Sequence, residues 1–369
     1  MKTYNKIEFL PESDGFLKQL QTEVNFYLKH SSKSKYADYS FYLKGTILFA
    51  LYLSFYFVFL FYPPHWYTLL VYIAMGPLAI LLGLNVAHDA AHGVAHPNKI
   101  VNNLLLRTFD FLGASSNVWK ARHDFSHHNY GNILNEDSDL KQSSLVRIFP
   151  SDKIRKANRF QHLYIPLLFL HYTFNWLFVR DFKDLMERTE DGKRKIRCSK
   201  INWIEIISFK IFYFSYIIII PLILADFFWY ETLIAYVLMN YAAGITITLA
   251  LVPAHVASTS EFPLPNSDGK MNHSWSHHQL ITTTDYSTNS AIINWMMGGF
   301  NHHVVHHLFP HISHVHYKQI TPILIKVTKE RGLKYNYESS LINAFTSHFR
   351  LLKSNGWDAW NKQINADQL

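Results

Sequence analysis

The stretch GTILFALYLSFYFVFLFYPPHWYTLLVYIAMGPLAILLGLNVA, Gly45–Ala87, contains two long apolar runs and no charged side chain. The runs are Gly45–Tyr62 and Trp66–Ala87, and only the residues PPH separate them. Each run is long enough to cross about 30 Å of hydrocarbon as a helix. The stretch therefore predicts a transmembrane hairpin of two helices.

A second pair of apolar runs lies further along the chain, at about Ile206–Ala225 and Phe227–Val252, with only Asp226 between them. These runs predict a second transmembrane hairpin. Because the side chain of Lys210 is long, we expect its ammonium group to extend to the membrane interface. Pro221 has no backbone N–H, so we expect it to kink the third span.

The distribution of basic residues predicts the orientation of the spans. Neither hairpin tip contains Lys or Arg, whereas residues 93–202 contain eighteen, residues 1–44 seven and the chain after residue 252 nine. By the positive-inside rule, both termini and the central loop are cytoplasmic. The predicted fold is an all-α integral membrane protein with two transmembrane helical hairpins, four spans in all, and a cytoplasmic helical cap. The predicted single domain, 1–369, consists of an N-terminal segment 1–44, hairpin 45–87, cap segment 88–205, hairpin 206–252 and cap segment 253–369.

Composition excludes several classes of protein. The net charge is +8, but there is no stripe of Arg and Lys with interleaved aromatic residues, which argues against a nucleic-acid partner. Cys198 is the only cysteine, so disulfides, thiolate zinc sites and cysteine-bound iron–sulfur clusters within one chain are excluded. The N-terminal residues MKTYNKIEFLPESDGF lack the apolar core of a secretory signal.

Histidine is unusually frequent, at 22 of 369 residues, and is concentrated in three short groups. The first group, HDAAH, ends the second span and places His88 and His92 four residues apart on one helix face. His96 would continue that face. The second group, HDFSHH, lies in the central loop, and the third lies in NHHVVHHLFPHISHVHY, Asn301–Tyr317. These two groups, with a single histidine after the fourth span, supply His123, His127, His128, His255, His303, His306 and His307.

The predicted topology brings all nine of these histidines to one side of the membrane. Neutral imidazole is the commonest protein metal ligand. Nine imidazoles exceed one coordination sphere and suit two metal ions with four or five nitrogens each. Imidazole binds zinc, copper, iron and nickel, so the spacing alone does not name the metal.

The motifs HDAAHG, HDFSHHN and GGFNHHVVHHLFP, in this order around two hairpins, resemble the membrane fatty acyl desaturase family. FQHLYIPLLF at Phe160–Phe169 and HQLITTTDYS at His278–Ser287 are also similar to that family. The resemblance covers most of the chain and is greatest to the branch with bacterial acyl-lipid and linoleoyl-type front-end desaturases. It implies a multi-pass enzyme of the bacterial inner membrane, with its active site on the cytoplasmic side.

The resemblance also implies the chemistry. A non-haem centre of two iron ions would use O₂ and electrons from an external donor to insert a cis double bond into a long-chain acyl-CoA or acyl-lipid. The histidines of the three motifs match the family's ligands by position, and His255 matches an additional ligand. Two departures stand out: His303 replaces the Gln of many front-end members, and HPNK, His96–Lys99, is not the haem motif of a fused cytochrome b5 domain. We therefore expect a separate electron carrier, a ferredoxin or a cytochrome b5-type protein.

Other functions fit the sequence less well. A metal transporter needs ionisable residues at mid-membrane, but the predicted spans are nearly free of them. A membrane b-type cytochrome needs paired histidines deep within its spans, and the predicted spans contain none. The Glu-x-x-His pattern of soluble carboxylate-type di-iron proteins and the zincin motif His-Glu-x-x-His are both absent. The open alternative is a di-iron fatty acyl or lipid hydroxylase of the same superfamily, because the same centre can return oxygen to carbon.

Polar residues next to the histidine motifs are candidates to orient the imidazole rings. The residues predicted to orient the rings in this way are Asp89, Asn129 and Asn301. Surface or helix-capping roles are the competing interpretation for these residues and for Asp124, Asp137 and Asp139. The remaining nearby histidines are surplus to the family pattern, and each has two possible roles: hydrogen bonding within the cap, which is the simpler one, or metal binding, which is the minor alternative. They are His96, His302, His311, His314, His316, His277 and His278.

Overall fold

The computed structural model describes residues 7–140, 143–186 and 200–367. Cys198 lies outside these described residues. The chain divides into two compact units. Unit 1 consists of Met1–Lys35, His123–Ile165 and Ala250–Leu369, and unit 2 consists of Tyr36–Arg122 and Pro166–Leu249.

The described part of the chain is mostly helical. Its α-helices are α1 Phe16–His30, α2 Tyr39–Phe61, α3 Trp66–Leu82, α4 His88–Ala91, α5 Lys99–Leu106, α6 Thr108–Phe111, α7 Ser116–Arg122, α8 His128–Tyr130, α9 Gln161–Leu170, α10 Tyr172–Asn175, α11 Asp181–Met186, α12 Lys200–Phe214, α13 Ile220–Leu224, α14 Trp229–His255, α15 Trp275–Thr282, α16 Ala291–Met296, α17 His303–Leu308, α18 Tyr317–Glu330, α19 Leu341–Lys353 and α20 Ala359–Asp367. Turns of π-helix lie at Gly83–Ala87, His123–His127, Trp176–Arg180, Ser215–Ile219 and Ser354–Asp358, and 3-10 turns at Lys156–Phe160 and His314–His316.

The described residues of unit 1 contain four short strands, β1 Glu8–Leu10, β2 Lys270–Ser274, β3 Asp285–Tyr286 and β4 Tyr337–Glu338. They form two parallel pairs, in which Glu8 pairs with Lys270 and Asp285 pairs with Tyr337. The second pair joins two segments that are far apart in sequence, and this pairing fixes the position of Asp285.

Among the described residues, four helices are long and apolar enough to cross a membrane: Tyr39–Phe61, Trp66–Ala91, Asn202–Leu224 and Trp229–His255. The all-α fold with four spans is therefore confirmed, although the ends differ from the predicted ones. His255 was expected after the fourth span, but it is the last residue of that helix.

Close backbone packing in unit 2 depends on small residues. A Cβ atom at Gly76 of α3 would lie 2.0 Å from the carbonyl oxygen of Met239 in α14. Only glycine permits this approach of two apolar helices, as is common where helices pack in membranes. The pair α3 and α14 is therefore held at a distance that no larger residue at position 76 allows.

The expectation for Lys210 was wrong. Its side chain is only 7% exposed, and Nζ lies 2.8 Å from Asp181 Oδ2 and 2.6 Å from the carbonyl oxygen of Gly113. A buried ammonium group requires such partners, because removing a charge from water costs several kcal/mol. The partners come from residues distant in sequence, so hydropathy could not reveal them.

At Pro221 the third span changes its winding. A π-helical turn, Ser215–Ile219, precedes the proline, and the helix then continues as Ile220–Leu224. The hydroxyl groups of Tyr56 and Tyr72 donate to the carbonyl oxygens of Tyr216 and Ile217. These tyrosines satisfy polar backbone atoms in a segment where water is scarce.

The core of unit 1 packs α1, α17 and α18 together. Phe16, Leu20 and Val24 recur every fourth residue of α1 and are almost fully buried. Val304 and Leu308, one turn apart on α17, enter the same core. Because these side chains occupy one face of α17, its histidines lie on the other face.

Candidate metal centre

The third histidine motif forms the short helix α17, and His303, His306 and His307 are all at most 1% exposed. The chain enters this helix through Gly298 and Gly299, which have φ values of 55° and 82°. A Cβ atom at Gly299 would lie 2.7 Å from His314 Cβ and 2.8 Å from the ring of Tyr317. Position 299 therefore requires glycine both for its backbone conformation and for space.

The second motif is wound as a π-helix over His123–His127. The wider π-helical turn brings residues i and i+5 into register. Accordingly, Nε2 of His123 and Nε2 of His128 lie 3.1 Å apart. An α-helix would point these two histidines in different directions, whereas the π-helical winding turns them towards each other.

A four-histidine group joins three segments of unit 1. One ring nitrogen from each of His127, His255, His303 and His307 lies within 4.8 Å of the other three. Nε2 of His255 is 2.7 Å from Nε2 of His303 and 3.1 Å from Nε2 of His307. A second, adjoining group consists of His128, His306 and His307. All seven predicted ligands of unit 1 therefore lie together.

Oxygen atoms orient these rings through Nδ1. The side-chain partners of Nδ1 are Asp139 for His123 at 3.1 Å, Asp137 for His127 at 3.1 Å, Asn132 for His255 at 3.1 Å, Tyr317 for His306 at 3.3 Å and Gln279 for His307 at 2.8 Å. An oxygen acceptor at Nδ1 keeps the proton there and turns the lone pair of Nε2 towards the centre of the group.

The separations of the ring nitrogens in unit 1 and the protonation state of the histidines suit a bound metal ion. Two imidazole nitrogens that bind one metal ion, each at about 2.1 Å, cannot lie more than about 4.2 Å apart. The separations of 2.7 and 3.1 Å around His255 lie within that limit. Burial and the neighbouring imidazoles hold the pKa of His307 well below its usual value. The ring is therefore neutral at pH 7, as a metal ligand must be.

The first motif lies in unit 2, where His88 is buried in α4 and His92 is the C-cap residue that follows the last residue of that helix, Ala91. The centroids of the two rings are 4.8 Å apart, as expected for residues four apart on one helix face. The expectation for His96 was wrong, because the helix ends at Ala91. His96 instead accepts a hydrogen bond at Nδ1 from the backbone N–H of Asn98, at 2.9 Å.

The three residues that were predicted to orient the imidazole rings lie in three different environments. Asp89 is buried, and its carboxylate is 3.9 Å from Nδ1 of His88. Asn129 is exposed and donates to the carbonyl oxygens of Asp124 and Phe125, which is a helix-capping role. Asn301 is buried and donates to Oδ1 of Asn294, and its carbonyl oxygen accepts from the N–H of Tyr286. Of these three residues, Asp89 has the contact that most resembles an orienting one.

Three orienting residues were missed by the sequence analysis: Asn132, Gln279 and Tyr317. Asn132 follows the second motif by four residues, and Gln279 lies within HQLITTTDYS. The sequence could have indicated both residues, because the side-chain oxygen of an amide close to a histidine motif can accept a hydrogen bond from an imidazole N–H. Asp137 and Asp139, for which a surface or capping role was the competing interpretation, contact His127 and His123.

Several neighbouring histidines are engaged in other contacts. His302 bonds through Nδ1 to Thr321 Oγ1 at 2.7 Å and through Nε2 to Asn294 Oδ1 at 3.1 Å. Nε2 of His278 donates to the carbonyl oxygen of Gly131 at 2.7 Å. Burial lowers the pKa of His302 to about 4 and that of His278 to about 3. Both rings are therefore neutral hydrogen-bonding groups, as predicted.

Comparison with known proteins identifies the class of enzyme. The sequence model of the family described as "Fatty acid desaturase" matches residues 64–339 of the chain. The chain belongs to the fatty acid desaturase family. It is therefore an oxidoreductase that desaturates acyl groups, and its histidine groups are compatible with the metal chemistry of this family.

Individual relatives cover nearly the whole desaturase. It is 33% identical over 355 residues to the sn-1 linoleoyl-lipid 6-desaturase of Arthrospira platensis, covering 95% of each chain. It is 32% identical over 361 residues to the enzyme of the same name from Synechocystis sp., covering 96% of this chain and 99% of that one. An acyl-lipid (8-3)-desaturase of Mortierella alpina is 28% identical over 357 residues, covering 95% of this chain and 79% of that one.

Proposed function

We propose that the desaturase inserts a cis double bond at carbon 6 of a linoleoyl group carried by a membrane lipid, in an O₂-dependent reaction. The convergence of seven buried imidazoles in unit 1 supports an oxidative metal centre. Two relatives, each aligned over 95% or more of its own length, are named sn-1 linoleoyl-lipid 6-desaturases, and these names support the lipid-linked substrate and the position.

We also propose that two iron ions are held by the nine predicted histidines: His88, His92, His123, His127, His128, His255, His303, His306 and His307. In unit 1 the ring nitrogens are close enough for shared ligation. For His88 and His92 the proposal rests on their spacing on one helix face and on the family resemblance. Imidazole is a suitable ligand for iron.

The saturated CH₂–CH₂ group of an acyl chain has no acidic proton, so acid–base groups alone cannot desaturate it. Bound iron would supply the oxidising power of O₂ together with two external electrons. The contribution of the protein is positional. The carboxylates of Asp137 and Asp139 accept from Nδ1 of His127 and His123, which holds these rings in one tautomer and makes them better electron donors. Burial of the histidines keeps bulk water away from the reaction.

The arrangement in the membrane is also proposed. Four apolar helices support an integral membrane protein, and the excess of Lys and Arg outside the spans supports cytoplasmic termini and a cytoplasmic active site. A separate ferredoxin or cytochrome b5-type carrier supplies the electrons. We propose the bacterial inner membrane as the location.

The decisive experiment is expression in a bacterial host that has a ferredoxin reductase system and is supplied with linoleic acid. Mass spectrometry of derivatised fatty acids, after separation of lipid and thioester fractions, locates any new double bond. We expect one at carbon 6 in the lipid fraction, and none with His127→Ala. A bond at another carbon refutes the position, a product confined to thioesters refutes the lipid substrate, and a hydroxyl group indicates the hydroxylase alternative.

A further inference from the structure

The third histidine motif lies on a short helix whose first backbone N–H groups need hydrogen-bond acceptors from outside the helix. The helix α17 has only six residues, His303–Leu308, so most of its first N–H groups have no partner within it. The residue at its N-cap position, His302, does not cap it, because its ring bonds to Thr321 and Asn294. The start of α17 therefore depends on acceptors from elsewhere in unit 1.

Asp285 supplies such an acceptor. Its Oδ1 accepts a hydrogen bond from the backbone N–H of Val304 at 2.7 Å, and its Oδ2 accepts from the hydroxyl of Tyr335 at 2.6 Å. The carboxyl group is fully buried. A carboxylate at a helix N-terminus is stabilised by the orphan N–H groups and by the helix dipole. This capping residue is 19 positions away from the residue it caps.

The backbone around Asp285 is itself held on both sides. The N–H of Asp285 donates to the carbonyl oxygen of Asn336 at 3.1 Å, and that of Tyr286 donates to Asn301 at 3.0 Å. The N–H of Thr284 donates to the carbonyl oxygen of Ala254 at 2.8 Å, next to His255. One short segment thus ties the entrance of α17 to the end of the fourth span.

We propose that Asp285 is a positioning residue for the third histidine motif. By fixing the N–H of Val304, it sets where His303, His306 and His307 stand relative to His255. The inference rests on the proposed metal-binding role of these histidines. It does not require a particular charge on Asp285, because Oδ1 accepts from Val304 whether or not Oδ2 carries a proton.

The test compares Asp285→Ala with Asp285→Asn in the full-length protein in detergent. Asparagine keeps an oxygen that can accept from Val304, whereas alanine removes it. Loss of an orienting partner typically weakens metal binding by about 10–100-fold. We expect Asp285→Ala to lose iron affinity in this range in a chelator competition, and Asp285→Asn to restore most of it. The visible spectrum of the Co²⁺-loaded protein should change in the alanine variant only, since it reports ligand geometry.

A matched control separates positioning from general damage to the fold. Asn158 is also fully buried in unit 1, and its side chain bonds to the backbone at Leu145 and Arg155. Asn158→Ala should lower the melting temperature of the metal-free protein but leave the Co²⁺ spectrum unchanged. Wild-type iron affinity in Asp285→Ala overturns the proposal, as does an equal loss of affinity in Asp285→Ala and Asn158→Ala at equal melting temperatures.

The proposal and the proposed function can fail separately. A wild-type protein that binds iron but forms no double bond refutes the proposed reaction and leaves the comparison at Asp285 valid. If the wild-type protein binds neither Fe²⁺ nor Co²⁺, the assigned ligand set is wrong and the proposal for Asp285 is refuted with it.

Discussion

Replacing Asp137 by asparagine tests whether the carboxylate beside the second histidine motif supports the metal centre. Both oxygens of Asp137 are 3.1 Å from Nδ1 of His127. Oδ1 also accepts from the N–H of Asp139 at 2.9 Å, and Oδ2 from the N–H of Asn132 at 2.9 Å. The side chain is fully buried, so water cannot replace a lost acceptor.

The geometry sets the size of the effect. Whichever way the amide of Asp137→Asn turns, its NH₂ group faces a backbone N–H, either of Asn132 or of Asp139. One buried donor is then left without an acceptor, which costs about 1–3 kcal/mol of stability in the metal-free protein. His127 also loses its anionic partner, and the loss of such a partner lowers metal affinity by about 10–100-fold.

The assay has two parts. Iron affinity is measured by competition with a chelator, and the stability of the metal-free protein is measured by thermal unfolding in detergent. The control is Asp152→Asn, because the buried carboxylate of Asp152 lies in the same unit and accepts from the N–H of Lys153. If Asp137→Asn binds iron within about threefold of wild type, or if the control loses as much affinity, Asp137 does not support the metal centre through His127.

Three further perturbations follow from the structure. Lys210→Met leaves Asp181 buried without its ammonium partner and should destabilise the protein by about 3–5 kcal/mol, and adding Asp181→Asn should restore much of this in thermal unfolding. Gly299→Ala forces a left-handed residue at a cost of about 1–2 kcal/mol and pushes its Cβ into the ring of Tyr317, so the iron content per chain should fall. Burial lowers the pKa of His348 to about 4, below its value in the unfolded chain. As the pH falls below about 6.5, the unfolded chain takes up a proton at this residue and the folded protein does not. The free energy of unfolding should therefore be about 2 kcal/mol lower at pH 5 than at pH 7.5. A comparison of melting temperatures at pH 7.5 and pH 5 with those of His348→Gln isolates it.

Each of these expectations has a contrary result. Equal stability of the Lys210→Met single variant and the double variant would show that the ion pair with Asp181 is not coupled. A Gly299→Ala protein with full iron content would mean that the third motif tolerates movement at its entrance. If His348→Gln loses stability between pH 7.5 and pH 5 as steeply as wild type, other groups are responsible for the acid sensitivity.

The spans and the histidine motifs were predictable because their signals are local. A run of about 20 apolar residues predicts a spanning helix wherever it occurs. Spacings of three and four residues place His303, His306 and His307 on one helix face whatever the rest of the chain does. The π-helical turn at His123–His127 was not predictable, because its winding depends on what the neighbouring segments allow.

The orienting residues depended on tertiary structure. Asn132 and Asn135 both adopt positive φ, at 58° and 72°, and the turn they form carries Asp137 back to His127. Asn129 is closer to the motif in sequence, but it lies at the exposed end of the helix. Proximity along the chain was therefore a poor guide to which polar group contacts a ring.

The amino-acid sequence by itself determined that the chain is an all-α membrane protein, and it identified the histidines that belong to the desaturase motifs. Only the tertiary structure decided which oxygen each ring contacts and where Lys210 finds its counter-charge. Hydropathy and helical spacing act over a few residues, whereas Gln279 and His307 are 28 residues apart and Asn132 and His255 are 123 apart. Such contacts exist only after the chain has packed, because buried polar groups select whichever partner the fold brings within hydrogen-bonding distance.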